Sequence, residues 1–210
     1  MKLYQSNGSP NSRRVRIFVA EKGITLSTVP VDLGSKEQLS DAYRAINPHL
    51  VVPTLVLDDG TAIGEVPAIW RYLEAAFAER PLLGTSPTQQ AQVTMWERRA
   101  EQEGFAAVME AVRNSVPGLK GRAVAGPHDY EQIPELAARS RIKIGNFYDD
   151  LNRQLATQAY VAGSEFSAAD ITALVTVDFA TAAARLPIPD GHDALRRWYA
   201  LVAARPSTSA

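Results

Sequence analysis

The chain has 210 residues, 22 basic and 23 acidic side chains, a formal net charge of −1 and no cysteine. That length suits one large or two small domains with a full core. Balanced charge excludes a basic nucleic-acid or membrane-surface binder, and the missing cysteine excludes disulfides, thiolate metal sites, a CxxC redox centre and a cysteine nucleophile.

The three histidines, His49, His128 and His192, are scattered, so no metal site is expected. No apolar run is long enough to span a bilayer, and the first residues carry no signal-peptide pattern. A soluble, cytoplasmic protein is the expectation.

Lys2 to Gln5 reads as a strand. Ser6 to Asn11 is turn chemistry, and Ser9-Pro10 fits an N-cap followed by proline at N1. Val15, Phe18, Val19 and Lys22 follow at helical spacing, and Gly23 ends that helix. Leu26 to Leu33 reads as a second strand, placed at an edge or bulged by Pro30. Leu39, Tyr43 and Ile46 mark a short helix. Thr54 to Leu57 is a buried strand, and Asp58-Asp59-Gly60 turns it back into Thr61-Ala62-Ile63. Glu65-Val66-Pro67 opens a helix with Ile69, Tyr72, Leu73 and Ala76 on its apolar face.

The order β-α-β-α-β-β-α predicts a small mixed sheet with helices on its faces over residues 1–80. Residues 81–87 read as a linker, and 88–210 as all-helical. There, Gln89 to Val116 predicts one helix with Val93, Trp96 and Ala100 inward. Gly118, Gly121, Gly126 and Pro127 break the pattern. Ile133 through Leu155 predicts a long amphipathic helix. Ser167 to Asp170 is a capping box with Phe166 placed as a staple. It opens a helix that is apolar almost all round, expected at the centre of the second domain. Leu195, Trp198, Tyr199 and Val202 mark the last helix.

The stretch Asn47-Pro48-His49-Leu50-Val51-Val52-Pro53-Thr54 carries the functional signal. A proline at a strand's entry leaves the preceding backbone free of ladder partners, and such groups can pair with a bound peptide by strand addition. The residues alone leave two readings open: a trans proline that opens a strand, or a cis proline that holds Val52 outward.

Four motifs in order resemble the cytosolic glutathione transferase family over nearly the whole chain. They are Ser9-Pro10-Asn11-Ser12-Arg13-Arg14-Val15-Arg16, Asn47-Pro48 with Val52-Pro53-Thr54-Leu55, Glu65-Val66-Pro67-Ala68-Ile69 with Arg71-Tyr72-Leu73, and Phe166-Ser167-Ala168-Ala169-Asp170-Ile171. The resemblance is to bacterial, serine-type or theta-like members, with features of the Nu class. It implies an α/β thioredoxin-like domain, then an all-helical domain, and a homodimer. The partners it implies are glutathione as co-substrate and a small hydrophobic electrophile, without a metal.

Glutathione reacts through its thiolate, and a free thiol is mostly protonated at neutral pH, so an enzyme must stabilise the anion. By resemblance, Ser9 at the helix start or Asn11 two residues on donates to that sulfur. Ser9 can equally be a plain helix cap. The resemblance gives Val52 main chain, ahead of a cis Pro53, to the cysteinyl unit. It gives Glu65 to the γ-glutamyl ammonium.

Two positions depart from the family. Val66 replaces the serine that usually follows the glutamate and offers only an N–H, and Val51 replaces a Lys or Gln. Gln38 resembles a glutathione contact of the Nu-like branch, with Lys36 and His49 nearby; each also reads as a solvated polar residue. Arg13, Arg14 and Arg16 read as a solvated or dimer-rim face, or as a source of positive potential. By analogy Tyr4, Asn7, Met109, Arg113 and Val116 face the electrophile. Two other functions stay open: glutathione-dependent reduction of disulfides or peroxides, and a non-catalytic binding or scaffold module of the same fold.

Overall fold

Leu3 on β1 (Lys2–Gln5) stands opposite Leu55 on β3 (Thr54–Val56), and both are buried in the computed structural model, which describes residues 1–210. Alternation along β1 puts Leu3 on one face of the sheet and Tyr4, opposite Thr54, on the other. β2 (Ser27–Pro30) pairs parallel with β1, and β4 (Ala62–Ile63) pairs antiparallel with β3, giving the order β2-β1-β3-β4. Two parallel neighbours need a crossover, which α1 (Pro10–Lys22) supplies. Pro30 is the last residue of the edge strand β2, where a missing N–H is tolerated.

Gly23 stops α1 in a left-handed conformation at φ 68°. α1 packs on α3 (Val66–Ala76), where the Phe18 and Trp70 rings stack at 5.3 Å and 18°. Trp70 lies outside the apolar face predicted for α3, yet it is buried; Tyr72, on that face, is only half-buried. The Lys22 side chain is wholly buried and held by Glu74 at 2.7 Å and the Glu79 carbonyl at 2.9 Å. A second, smaller cluster gathers Val31, Tyr43 of α2 (Asp41–Arg44), Leu50 and Val52, with Tyr4, Leu39 and Ile46 packed against it.

The chain divides into two units, Met1–Arg80 with Ala125–His128 and Ser209–Ala210, and Pro81–Val124 with Asp129–Thr208. The sequence boundaries place neither 125–128 nor 209–210 with the first unit. No helix is long and apolar enough to cross a membrane.

In the second unit the single helix predicted from Gln89 is divided. α4 (Pro87–Arg99) starts at a Ser86–Gln89 capping box, widens into a π-turn over Ala100–Phe105, and continues as α5 (Ala106–Arg113). Trp96, expected inward, is half-buried. Glu97 takes the inward place, accepting a hydrogen bond from the Thr172 hydroxyl at 3.1 Å. At the π-turn Gly104 lies against Phe147 of α6 (Pro134–Leu155), so close that a Cβ would sit 2.8 Å from two ring carbons. Phe147 is buried. Gly104→Ala is therefore expected to destabilise the fold by about 1–3 kcal/mol through overpacking, offset by up to ~1 kcal/mol of helix propensity. A urea midpoint equal to or above that of the wild type would contradict this contact.

Ile133, predicted on the apolar face of α6, instead flanks its start and is exposed; its N–H donates to Asn114 Oδ1 at 2.9 Å. α7 (Ala168–Ala182) is buried along most of its length, as its composition predicts. Its capping residue Asp170 is fully buried and accepts four hydrogen bonds: from Val161 N at 2.9 Å, Ser167 N at 3.0 Å, Ser167 Oγ at 3.2 Å, and Trp198 Nε1 of α8 (Asp193–Ala203) at 2.8 Å. The Phe166 ring, expected as a staple, meets Tyr160 edge-on and carries the Arg205 guanidinium at 4.1 Å.

Candidate functional site

Strand direction alone brings the predicted site residues together. β1 ends at Gln5 and runs into the Ser6–Ser9 turn. The parallel β2 ends on the same side and leads to the short 3-10 turn Glu37–Leu39. The antiparallel β3 begins there, directly after Val52-Pro53, and β4, antiparallel to β3, ends there and passes on to Glu65-Val66. Ser9, Asn11, Gln38, Val52, Pro53, Glu65 and Val66 thus belong to segments that meet at one end of the sheet.

At the start of α1, Ser9 Oγ accepts from Ser12 N at 3.2 Å, so Ser9 does cap the helix. A hydroxyl has one donor and two lone pairs, so the cap leaves its proton uncommitted. The turn is pinned from within: Ser6 N donates to Ser12 Oγ at 3.2 Å and Ser9 N to Ser6 O at 3.1 Å. Asn11 Oδ1 accepts from Arg14 Nη1 at 3.2 Å, which turns the amide hydrogens away from that contact and leaves them without an acceptor in the chain. Arg14 itself is 1% exposed, with its guanidinium 5.2 Å from the centre of the Trp70 ring. The solvated-face reading of Arg14 therefore fails: its cation is buried beside the helix start. Arg16 is half-buried and donates to Gln5 Oε1 at 2.7 Å and Ala210 O at 3.0 Å; its partial burial lowers its pKa, with Arg13 adding to the effect.

The Val52–Pro53 peptide bond is cis. The Val52 side chain is anchored in the small cluster with Tyr43 and Leu50, and no hydrogen bond within the chain uses its N–H or C=O. Its neighbour is the opposite case. Val51 O accepts from Tyr43 Oη at 2.7 Å and from Asn47 Nδ2 at 3.0 Å. Asn47 Nδ2 also reaches Thr54 Oγ1 at 2.9 Å, and Asn47 Oδ1 accepts from His49 N at 3.0 Å. Tyr43, Asn47 and Thr54 form a buried clamp that fixes the loop on either side of Val52. Burial raises the Tyr43 pKa, so its hydroxyl stays a donor. The motif Asn47-Pro48 was visible in the sequence; the clamping role was not, since it needs Tyr43 and Thr54 from other segments.

Glu65 is exposed and holds φ 60°, a left-handed value uncommon outside glycine. Its carbonyl accepts from Ala68 N and Ile69 N, which starts α3. Pro67 has no N–H, so Val66 N–H is the one first-turn donor left without an acceptor. Gln38 is buried, not solvated, and its Oε1 has no hydrogen-bond partner. Lys36 and His49 are exposed. A cleft of about 380 Å³ runs between the Asn47–Val51 loop and Gly64-Glu65, walled by Ile46, Pro48, His49 and Ala62.

This arrangement offers a peptide ligand unpaired main chain at one strand entry, a carboxylate at a helix start and uncommitted donors at another. Two family descriptions match the chain, "Glutathione S-transferase, N-terminal domain" over residues 3–81 and "Glutathione S-transferase, C-terminal domain" over residues 134–201. Glutathione S-transferase 2 of Saccharomyces cerevisiae is 35% identical over 99% of this chain and 87% of its own length. The chain belongs to the glutathione S-transferase family of enzymes.

Solved structures of glutathione S-transferases agree with the fold. A glutathione S-transferase domain-containing protein of Marinobacter aquaeolei VT8 is 38% identical, with TM-score 0.91 over 99% of this chain and 100% of that one. Gtt2 of S. cerevisiae is 33% identical, with TM-score 0.90 over 100% of this chain and 99% of that one. Two contacts are not legible in those motifs although most of their residues belong to them: the clamp that Tyr43 makes with Asn47 and Thr54, and the buried Arg14 behind Asn11.

Proposed function

We propose that this enzyme is a glutathione transferase that binds glutathione along the Val52 main chain and stabilises its thiolate at the start of α1. The observation that carries this reading is the unpaired backbone of Val52, presented beside a clamp that occupies the Val51 carbonyl. An extended cysteinyl unit pairs with those two groups as an added strand. Glu65 takes the γ-glutamyl ammonium by a charge-assisted contact, and Val66 N–H takes the γ-glutamyl carboxylate. A non-glycine residue held at positive φ is the kind of local strain found at ligand sites. Gln38 serves the glycine end. Ser9 Oγ–H, polarised by the helix dipole, donates to the sulfur.

The bound thiolate then attacks the electrophilic carbon of a hydrophobic substrate. A carbon–sulfur bond forms, the leaving group departs with its bonding pair, and the thiol proton passes to water. A second reaction has its own supporting observation, the free amide of Asn11. In that Nu-like variant the thiolate attacks a ligand disulfide, displacing one sulfur, and a second glutathione completes the reduction.

Isothermal titration with glutathione, followed by turnover of an aryl halide, an organic peroxide and a small disulfide, tests the proposal. No binding at millimolar glutathione would overturn it. The enzyme is further expected to be a homodimer through α3 and α4, with Trp96, Arg98 and Arg99 at the contact. Met95, half exposed on α4, adds apolar surface there. Sedimentation at micromolar concentration showing only the 22.8 kDa monomer would exclude the dimer.

A further inference from the structure

Four buried polar residues crowd the junction of β1 and α1: Gln5, Ser6, Ser9 and Ser12. The three serines hold one another, through Ser6 N on Ser12 Oγ, Ser9 N on Ser6 O and Ser12 N on Ser9 Oγ. Gln5 stands outside that ring of bonds, and Arg16 of α1 ties it in. Arg16 Nη1 donates to Gln5 Oε1 at 2.7 Å and to Ser6 O at 3.3 Å. Gln5 Nε2 in turn donates to Asn7 Oδ1 at 3.1 Å. One guanidinium nitrogen thus grips two consecutive residues at the entry of the Ser6–Ser9 turn.

Ser6 O is the shared point. A carbonyl oxygen has two lone pairs, and here one takes Ser9 N and the other Arg16 Nη1. Displacing Arg16 therefore displaces the acceptor that holds Ser9. The guanidinium is steadied from its other edge, where Nε donates to Ala210 O at 3.0 Å; residues 209–210 belong to the same unit as β1 and α1. Nε and Nη1 lie in one rigid plane, so fixing the first directs the second. The partners of Arg16 are one side-chain amide and two main-chain oxygens, and the charge that acts on it is the like one of Arg13. Its contacts fit a role in geometry rather than in ion pairing.

We propose that Arg16 is a positioning residue for thiolate formation: through Gln5 and the Ser6 carbonyl it sets the Ser6–Ser9 turn, and with it the direction of the Ser9 hydroxyl. This deepens the glutathione reading above and rests on it. A hydrogen bond weakens steeply as its angle closes, and a misplacement of about 1 Å transmitted from outside the reacting atoms can cost a large factor in rate. Loss of Arg16 therefore weakens the bond to the sulfur and leaves Val52, Glu65 and Val66, the groups proposed to hold the rest of glutathione, untouched.

The test reads the ultraviolet titration of bound glutathione thiolate in wild type, Arg16→Gln, Arg16→Lys, Gln5→Met and the Arg16→Gln, Gln5→Met double variant. In Arg16→Gln the pKa of bound glutathione is expected to rise by about one unit and kcat to fall about 3–10-fold, with KM for glutathione within about twofold of wild type. Arg16→Lys keeps the charge without the planar fork and should recover only part of the shift. Gln5→Met keeps the arginine and its charge but removes the acceptor it works through, so it should shift the titration in the same direction. The double variant should then match the larger single shift rather than the sum, because both changes break one path. A titration unmoved in Arg16→Gln, even with a lowered urea midpoint, would overturn the inference and leave Arg16 a purely structural residue. Full recovery in Arg16→Lys with Gln5→Met unmoved would overturn it in favour of charge alone. Should Arg16→Gln not fold, Arg16→Lys and Gln5→Met decide by the same outcomes. If wild type itself shows no thiolate band, the glutathione reading fails and this inference with it; a wild-type band unmoved by the variants defeats this inference alone.

Discussion

Asp170→Ala is expected to lower the stability of the folded chain by about 3–5 kcal/mol, the scale of leaving several buried donors unsatisfied. The carboxylate holds three fixed N–H donors, from Val161, Ser167 and Trp198, in a fully buried site. It ties the start of α7 to α8 and to the Tyr160–Gly163 turn, so its loss reaches well beyond a helix cap. An ordinary cap contributes ~0.5–2 kcal/mol. Glutathione affinity of the folded fraction is expected to stay near normal, because Asp170 belongs to the helical unit and the proposed glutathione groups to the other. An urea midpoint within error of wild type would contradict the assignment of α7 as the core.

The same carboxyl carries a pH signature. Complete burial pushes its pKa up to about 6, despite four hydrogen bonds that pull the other way. Between about pH 4 and 6 the folded chain therefore keeps a proton that the unfolded chain has lost. Stability from this group falls as pH rises through that window and is flat above it. The difference amounts to roughly 3 kcal/mol for about two pKa units. Asp170→Asn removes the titration, so the stability advantage of wild type over Asp170→Asn should shrink from pH 4 to pH 7. A pH-independent difference would show that the buried carboxyl titrates as it does in the unfolded chain.

Removing the thiolate contact should cost on the order of 10–100-fold in rate, the value of a hydrogen bond to a charged group. It should also raise the pKa of bound glutathione by about one to two units. Both Ser9 and Asn11 have a donor to give. Accepting from Ser12 N does not occupy the Ser9 proton, and that cap bond strengthens its donation. Asn11 is aimed by the buried Arg14, a fixed cation that also adds positive potential. Ser9→Ala is expected to have the larger effect on conjugation, with Asn11→Ala next. The measurement is the pH dependence of the bound thiolate's ultraviolet absorbance in each variant. A shift in Asn11→Ala alone would replace the serine-type assignment by the Nu-like one. No shift in either would leave the backbone and helix dipole as the stabilisers.

Sequence by itself determined the elements and their kinds, because their signals are local. Ser9-Pro10 and Gly23 bracket α1, Asp58-Asp59-Gly60 turns β3 into β4, and Ser167 and Asp170 open α7; each is set by contacts within a few residues. The family was legible for the same reason, since its motifs are short runs of the chain. Tertiary structure decided what depends on contacts between separate elements. Asn47 became a clamp only through Tyr43 and Thr54, and Arg14 left the expected solvated face because Trp70 of another helix offered its ring. The helix after Gln89 acquired a π-turn where Gly104 meets Phe147, and Trp96 gave its inward place to Glu97, whose partner Thr172 lies far along the chain. Helical periodicity registers which positions share a face. It does not register which polar group a hydroxyl, ring or carbonyl of another element will satisfy.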